Sequence, residues 1–181
     1  MKVIQTDLPE VLLLEPNVHS DARGYLFEAW NRAAFEAVGI RAEFLQDNQS
    51  RSRKNVLRGL HYQVPPHPQA KLLRVVAGEI FDVAVDIRRS SPNFGKWTGT
   101  VLSAENKRML WVPEGFAHGL LALSDNCEII YKIAGRWSPV CERAIRWDDS
   151  MIGIEWPVEA APIVSLRDQD ALSLAEAEVF A

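Results

Sequence analysis

From Ile80 to Ile87 the apolar residues Phe81, Val83, Val85 and Ile87 share one parity, and Asp82 and Asp86 take the other. Residues two apart lie on one face of a pleated strand, so this alternation predicts a strand with an apolar side and a polar side. Short patterns of the same kind predict strands over Val11–Leu14, Gly24–Trp30, Phe44–Asn48, Lys71–Val76, Thr98–Leu102, Met109–Val112, His118–Leu123 and Cys127–Ile133. A further strand is expected around Gly59-Leu60-His61. Turn residues separate them: Pro65-Pro66, Ala77-Gly78, Ser91-Pro92-Asn93, Pro113-Glu114-Gly115 and Ser124-Asp125-Asn126. Helical signals are sparse. Asn31 can cap a short helix over Arg32–Val38, with Gly39 in the closing position, and Ala, Leu and Glu predict a second over Ala171–Glu178. Many short strands with regular turns predict an all-β sandwich or barrel rather than a doubly wound α/β fold. A jelly roll enclosing a pocket, with a few short helices, is the natural member of that class. No repeat, linker or low-complexity segment interrupts the pattern, so residues 1–181 read as one domain.

Composition narrows the possible partners. The chain has 181 residues, 48% of them hydrophobic and 24% charged, as in an ordinary globular protein able to bury about 70% of its unfolded surface. A formal charge of -4 gives no general attraction to nucleic acid or to an anionic membrane, so an anionic substrate would have to be met by a local cluster of charge. The stretch Met1-Lys2-Val3-Ile4-Gln5-Thr6-Asp7 carries no signal-peptide core, and no apolar run reaches membrane-spanning length. Cys127 and Cys141 are the only cysteines; they read as reduced thiols rather than a disulfide framework. A cytoplasmic location is expected.

Candidate chemistry begins with exclusions. The chain has no G-x-G-x-x-G after a strand, no phosphate loop ending in Gly-Lys-Ser/Thr and no H-E-x-x-H. Pro113-Glu114-Gly115-Phe116-Ala117-His118 matches the P-x-G-x-x-H signature of cupin barrels. Metal-binding cupins also need a paired H-x-H, and the chain offers only Leu60-His61-Tyr62; His19 and His67 are poorly placed to complete a ligand set, so no metal is expected. The segment Gln46–Gln63, QDNQSRSRKNVLRGLHYQ, is locally basic. Arg51, Arg53 and Lys54 read as a solvated loop face. Arg58 leads into the His61 strand, and its guanidinium could grip a diphosphate. Strict alternation puts Arg58 and His61 on opposite faces, so bringing both to one pocket requires a bulge, which Gly59 could supply. Taken singly, each candidate has an ordinary reading: His61 as a hydrogen-bonded core histidine, Lys71 as a sheet-edge lysine and Tyr131 as a packing ring.

Longer strings resolve the matter. DARGYLFE from Asp21, the QDN…RGLHYQ segment, QAKLLRV, GEIFDVAVDIRRSSPNFGKW, LSAENKRMLWVPEGFAHG and the Tyr131-Lys132 strand closely resemble the dTDP-4-dehydrorhamnose 3,5-epimerases, in unbroken register from about residue 8 to 170. The resemblance implies His61 as catalytic base, Asp168 as the carboxylate that orients it, Tyr131 as proton donor across the sugar ring, and Lys71 near the keto oxygen. It implies substrate contacts by Arg23, Glu28, Gln46, Asp47, Asn48, Arg58, His118, Glu142 and Arg167, and by Trp137 against thymine. Arg23 and Glu28 would reach a partner's site from an exchanged N-terminal strand, which implies a homodimer. The chain departs from the family pattern at Asn55 and Ala70, where glycine is common, at Arg167, where lysine is common, and over Ile133-Ala134-Gly135-Arg136.

The implied reaction suits these residue types. A ketone at C4 of the sugar acidifies C3 and C5, because loss of either proton gives an enolate, and no cofactor is called for. Inversion needs one group on each face of the ring: histidine as a base near neutral pH, tyrosine as a donor, and a cation for the oxyanion. The product would be dTDP-4-dehydro-L-rhamnose, on the way to dTDP-rhamnose. Three alternatives remain at this point: an epimerase of antibiotic sugars acting at C3 or C5 alone, a non-catalytic sugar-nucleotide-binding module, and a metal-dependent cupin oxygenase.

Overall fold

The computed structural model describes residues 1–181. The strands β1 (Lys2–Gln5) and β2 (Leu12–Glu15) lead into a hairpin of β3 (His19–Asp21) and β4 (Gly24–Leu26), followed by helix α1 (Arg32–Glu36). Then come β5 (Phe44–Ser52), β6 (Leu57–Gln63), β7 (Ala70–Ala77), β8 (Glu79–Asp86), β9 (Trp97–Ser103), β10 (Met109–Val112), β11 (Phe116–Ala122), β12 (Cys127–Ala134) and β13 (Glu142–Ala144). A last short helix, α2, covers Leu166–Gln169. Six strands form one sheet in the order β1-β2-β10-β7-β12-β5, and five form a second in the order β13-β6-β11-β8-β9. From β5 onward the chain crosses repeatedly between the two antiparallel sheets, which is the jelly-roll topology that the strand pattern predicts.

The two sheets pack face to face. Leu73, Val75 and Ile129 from the first meet Ile80, Ala84 and Leu120 from the second in one buried cluster. On the outer side of the second sheet, Val83, Val85 and Ile87 are covered by Trp156, Leu174 and Ala177 from the C-terminal segment. Both faces of β8 are therefore buried. Asp82 and Asp86, which the alternation places on its polar side, lie on the inner face with Ile80 and Ala84, and both carboxylates are fully buried. Helix α1 lays Phe35 over Leu14, Leu72 and Met109 on the outside of the first sheet. Burying side chains of this size contributes about 1.5–3 kcal/mol each.

Local chemistry explains most element boundaries. Asn31 caps α1 by accepting from the Ala34 amide; the helix ends at Glu36, two residues short of the expected Val38, and Gly39 turns the chain away at φ 91°. The expected helix over Ala171–Glu178 does not form. Leu172 bridges to Ile145, the Leu174 amide donates to Asp149, and the Glu178 carbonyl accepts from Tyr62. These tertiary partners take the backbone groups that a helix would use, and they override propensity. The strand expected over Gly24–Trp30 stops at Leu26, where its hairpin partner ends. At Asn55 the backbone has φ 66°, a conformation asparagine tolerates better than most residues, so the family's common glycine is replaceable there.

Candidate active site

A bulge in β6 builds the centre of the site. His61 pairs with His118 on β11, but Arg58, three residues back, pairs with Leu120, only two residues on. The extra residue falls at Gly59-Leu60 and brings Arg58 and His61 to the same face, as a bulge at this position was expected to do. Only glycine fits: Gly59 has φ 138°, and an added Cβ would meet the Gly119 Cα at 2.5 Å.

His61 is set against Asp168. Its Nε2 lies 2.5 Å from the carboxylate Oδ1, while the Gly59 amide donates to Oδ2 at 3.4 Å. Asp168 arrives on α2, capped by Ser165, whose hydroxyl accepts from the Asp168 amide. That segment is held beside β6 by a parallel bridge between Val56 and Ile163. Burial pushes the Asp168 carboxyl up, but the hydrogen bond and charge of His61, with the Gly59 amide and Ser165, outweigh it and leave the pKa below the ordinary value. With Nε2–H donated to a carboxylate, Nδ1 keeps its lone pair and can accept a proton. The His61 side chain is 35% exposed, while that of Asp168 is buried.

Lys71 and Tyr131 come from the opposite sheet. Lys71 shares the inward parity of Leu73 and Val75 on β7, and its Nζ donates to the His61 carbonyl at 3.3 Å. Burial pulls its pKa down to about 8, against the pull of Asp82 and Glu142. Tyr131 packs its ring against the inner cluster. Beside it on β5, Asn48 is its register partner, and Gln46 donates to Asn48 at 2.9 Å. Asp47 takes the other face of β5, where it binds Lys132 at 3.0 Å, so the structure does not bring it to the interior. His118 is buried, with its Nε2 2.7 Å from Asp82 Oδ1. Burial lowers its pKa, Asp82 opposes, and Lys71 and His61 push it further down.

At the rim, Trp137 Nε1 donates to one oxygen of Glu142 at 2.9 Å, and Arg167 reaches the other at 3.0 Å. The Trp137 residue is 51% exposed. Gln63, which sequence reasoning passed over, holds this loop in place by accepting from the Ser138 amide and donating to the Arg136 carbonyl. Arg58 donates to Ser52 and to the Arg51 carbonyl. Arg23 and Glu28 stand apart. Arg23 projects from the β3–β4 hairpin with its side chain 90% exposed and paired only to Asp21, and Glu28 accepts from Asn31. Asp82 was also passed over. Its only signal in the sequence is an acid within a strand whose neighbours are almost all apolar.

An interior with an oriented imidazole on one wall and a phenol and an ammonium on the other can take a proton, return a proton and steady a negative oxygen between them. The fold and this interior define an isomerase of the jelly-roll type. The profile of the dTDP-4-dehydrorhamnose 3,5-epimerases matches residues 5–176. A dTDP-4-dehydrorhamnose 3,5-epimerase of Shigella flexneri is 55% identical over 181 residues, covering 99% of each chain. Among solved structures, the Legionella pneumophila dTDP-6-deoxy-D-glucose-3,5-epimerase in complex with dTDP-4-keto-L-rhamnose superposes with TM-score 0.94 at 43% identity, covering 98% of this chain and 94% of that one. A 3'-monoepimerase of Streptomyces bikiniensis in complex with dTDP-quinovose is also similar, at TM-score 0.88 and 33% identity, covering 94% and 87%. The chain belongs to the dTDP-4-dehydrorhamnose 3,5-epimerase family.

Proposed function

We propose that the chain inverts both C3 and C5 of dTDP-4-dehydro-6-deoxy-D-glucose to give dTDP-4-dehydro-L-rhamnose, acting as one domain over residues 1–181. His61, oriented by Asp168, removes the proton beside the ketone, Lys71 steadies the enolate oxygen, and Tyr131 returns a proton from the other face. The observation that carries this reading is the placement of His61 and Tyr131 on inward faces of opposite sheets, because inversion requires two groups flanking one ring. Gln46, Asn48, Arg58, His118, Glu142 and Arg167 hold the sugar and diphosphate, and Trp137 stacks on the base. Asp47, on the outer face, has no part in this reading.

The working unit is a homodimer in which the N-terminal arm crosses to the partner, carrying Arg23 and Glu28 to its site. Support comes from the arm itself: β3 and β4 form a separate two-stranded sheet, with Tyr25 61% and Leu26 69% exposed. Apolar side chains so displayed call for a covering surface. No helix is long and apolar enough to cross a membrane, and both cysteines are free. Free thiols suit a reducing compartment and support a cytoplasmic location.

The reaction is tested by NMR with dTDP-4-keto-6-deoxy-D-glucose in D₂O. Deuterium should enter at both C3 and C5. In Tyr131→Phe, exchange should continue while inversion is impaired. Exchange at one carbon alone in the wild type would replace this reading with a mono-epimerase, and exchange at neither would leave a binding module. Mixing His61→Asn and Arg23→Ala subunits should restore activity through hybrid dimers holding one intact site; no recovery would remove the crossing arm.

A further inference from the structure

Two acids of β8 share the inner face, and they are treated differently. Asp86 has both oxygens engaged: Arg88 donates to Oδ1 at 2.9 Å and to Oδ2 at 2.6 Å, and the Ser91 hydroxyl donates to Oδ2 at 2.6 Å. That is a structural ion pair. Asp82, two turns of the pleat away, is fully buried and uses only Oδ1, on His118; Oδ2 is buried with no hydrogen-bond partner. A buried carboxylate oxygen left unpaired costs free energy, and its presence calls for an explanation in terms of what it faces.

Lys71 is the cation this carboxylate acts on, through charge and without a direct ion pair: Lys71 Nζ donates to the carbonyl of His61, His61 is the register partner of His118, and His118 binds Asp82. Lys71 is flanked within its own sheet by Val112 on β10 and Ile133 on β12, which bring no charge. The titratable groups around it are His61 on β6, Asp82 on β8, His118 on β11 and Glu142 on β13, with Tyr131 further along β12 beside Leu73. Of the carboxylates near it, Asp168 binds His61 and the Gly59 amide, and Glu142 divides its oxygens between Trp137 and Arg167. Asp82 alone has an uncommitted oxygen.

We propose that Asp82 is a positioning residue of the epimerase: Oδ1 fixes His118 with its proton on Nε2, and the unpaired Oδ2 supplies the counter-charge that keeps Lys71 an ammonium inside the pocket. Asp82 touches neither the sugar nor the reacting atoms; it acts through two side chains that do. A carboxylate near a half-buried lysine favours its charged form, against a desolvation that otherwise drives it neutral. An enolate formed beside a neutral amine would lose most of its electrostatic support. The inference rests on Lys71 serving the keto oxygen, as proposed above.

The test is Asp82→Asn, which preserves shape and removes charge. The alkaline limb of the kcat profile should move to lower pH by roughly one unit or more, while the acid limb stays in place and the affinity for dTDP is unchanged. In the double variant with Lys71→Met, Asp82→Asn should add no further loss in kcat, because its effect passes through the lysine. An unmoved alkaline limb in a variant that folds and still epimerises would overturn the proposal, as would additive losses. Should Asp82→Asn not fold, coupling is read in the opposite direction: carboxyl ¹³C NMR of Lys71→Met should show the Asp82 pKa raised relative to wild type, and an unchanged titration would overturn it. Failure of the reaction reading itself looks different, since the wild type would then exchange no deuterium.

Discussion

Two histidine–carboxylate pairs lie side by side on adjacent strands, with His61 and His118 in direct register, and they are built for different work. His61 is a third exposed, and its carboxylate comes from a capped helix, with the Gly59 amide donating to Asp168 as well. His118 is buried against Asp82, and its pKa is driven down first by that burial. A histidine that must gain and lose a proton in each cycle needs a partner stabilising its charged form and access to the substrate. A histidine kept neutral in a closed interior presents fixed hydrogen-bonding groups instead. The difference teaches that the same two residue types, given the roles proposed above, suit a base in one setting and a binding group in the other, with burial separating the two.

The sharpest way to break this comparison is to treat both histidines alike. His61→Asn should fold normally and lose roughly 10²–10⁴ in kcat, with deuterium exchange abolished. His118→Asn should mainly raise KM and leave exchange running. Equal loss of exchange in the two variants would erase the division of labour.

Next in size is Lys71→Met, which should cost about 10²–10³ in kcat, the usual loss on removing an oxyanion donor, with little change in dTDP affinity. Wild-type kcat should fall as pH rises through about 8, where Lys71 loses its proton. The stability effect has the opposite sign. A lysine whose folded pKa lies below its unfolded value binds fewer protons when folded, so its burial costs stability below pH 8, and the cost fades as pH rises toward the unfolded value of about 10.4. Lys71→Met should therefore be more stable than wild type at pH 7, by about 1–3 kcal/mol, and the advantage should shrink above pH 8. Thermal melts across that range measure it. A variant less stable at pH 7 would mean that the lysine is not desolvated.

Asp168→Asn should reduce kcat less than His61→Asn does, because it removes the group that orients the base and leaves the base in place. The folded Asp168 has a depressed pKa, so its contribution to stability is present above the unfolded carboxylate range and is lost as pH falls through the folded value. Wild type should accordingly lose more stability in acid than Asp168→Asn, as chemical denaturation at pH 3 and pH 7 would show. The smallest effect is expected at the rim. Trp137→Ala should weaken dTDP binding by about 1–3 kcal/mol, the worth of one aromatic stack, with kcat nearly intact; unchanged binding by calorimetry would mean that the ring only braces Glu142.

What could be read in the sequence divides along the same line as the two pairs. Alternation located nearly all the long strands, because side chains buried on a pleat repeat every two residues. It also allowed the Gly59 bulge to be posed, since Arg58 and His61 cannot otherwise share a face. It failed at Asp82, because a polar parity reads as a solvated face, whereas here the inside of the barrel is the polar side and the C-terminal segment covers the apolar one. The same segment misled propensity: Ala171–Glu178 looks helical by composition, but its backbone bonds to Ile145, Asp149 and Tyr62 lie far away in sequence. Asp168, Lys71 and Tyr131 could be given roles only through family resemblance, as no spacing rule links residues 107 positions apart, the separation of His61 and Asp168. Asp47 shows a limit of that transfer, since it sits between two inward residues and so points outward.

That long separation has a consequence for a chain made from its N-terminus. Every strand of both sheets, and with them His61, Lys71, His118 and Tyr131, emerges from the ribosome before Ser165 and Asp168. A nascent chain can thus form these strands with His61 present but unaligned. Docking of the α2 segment along Val56 is what brings Asp168 to His61, so the order of synthesis itself delays that alignment until Asp168 has been made.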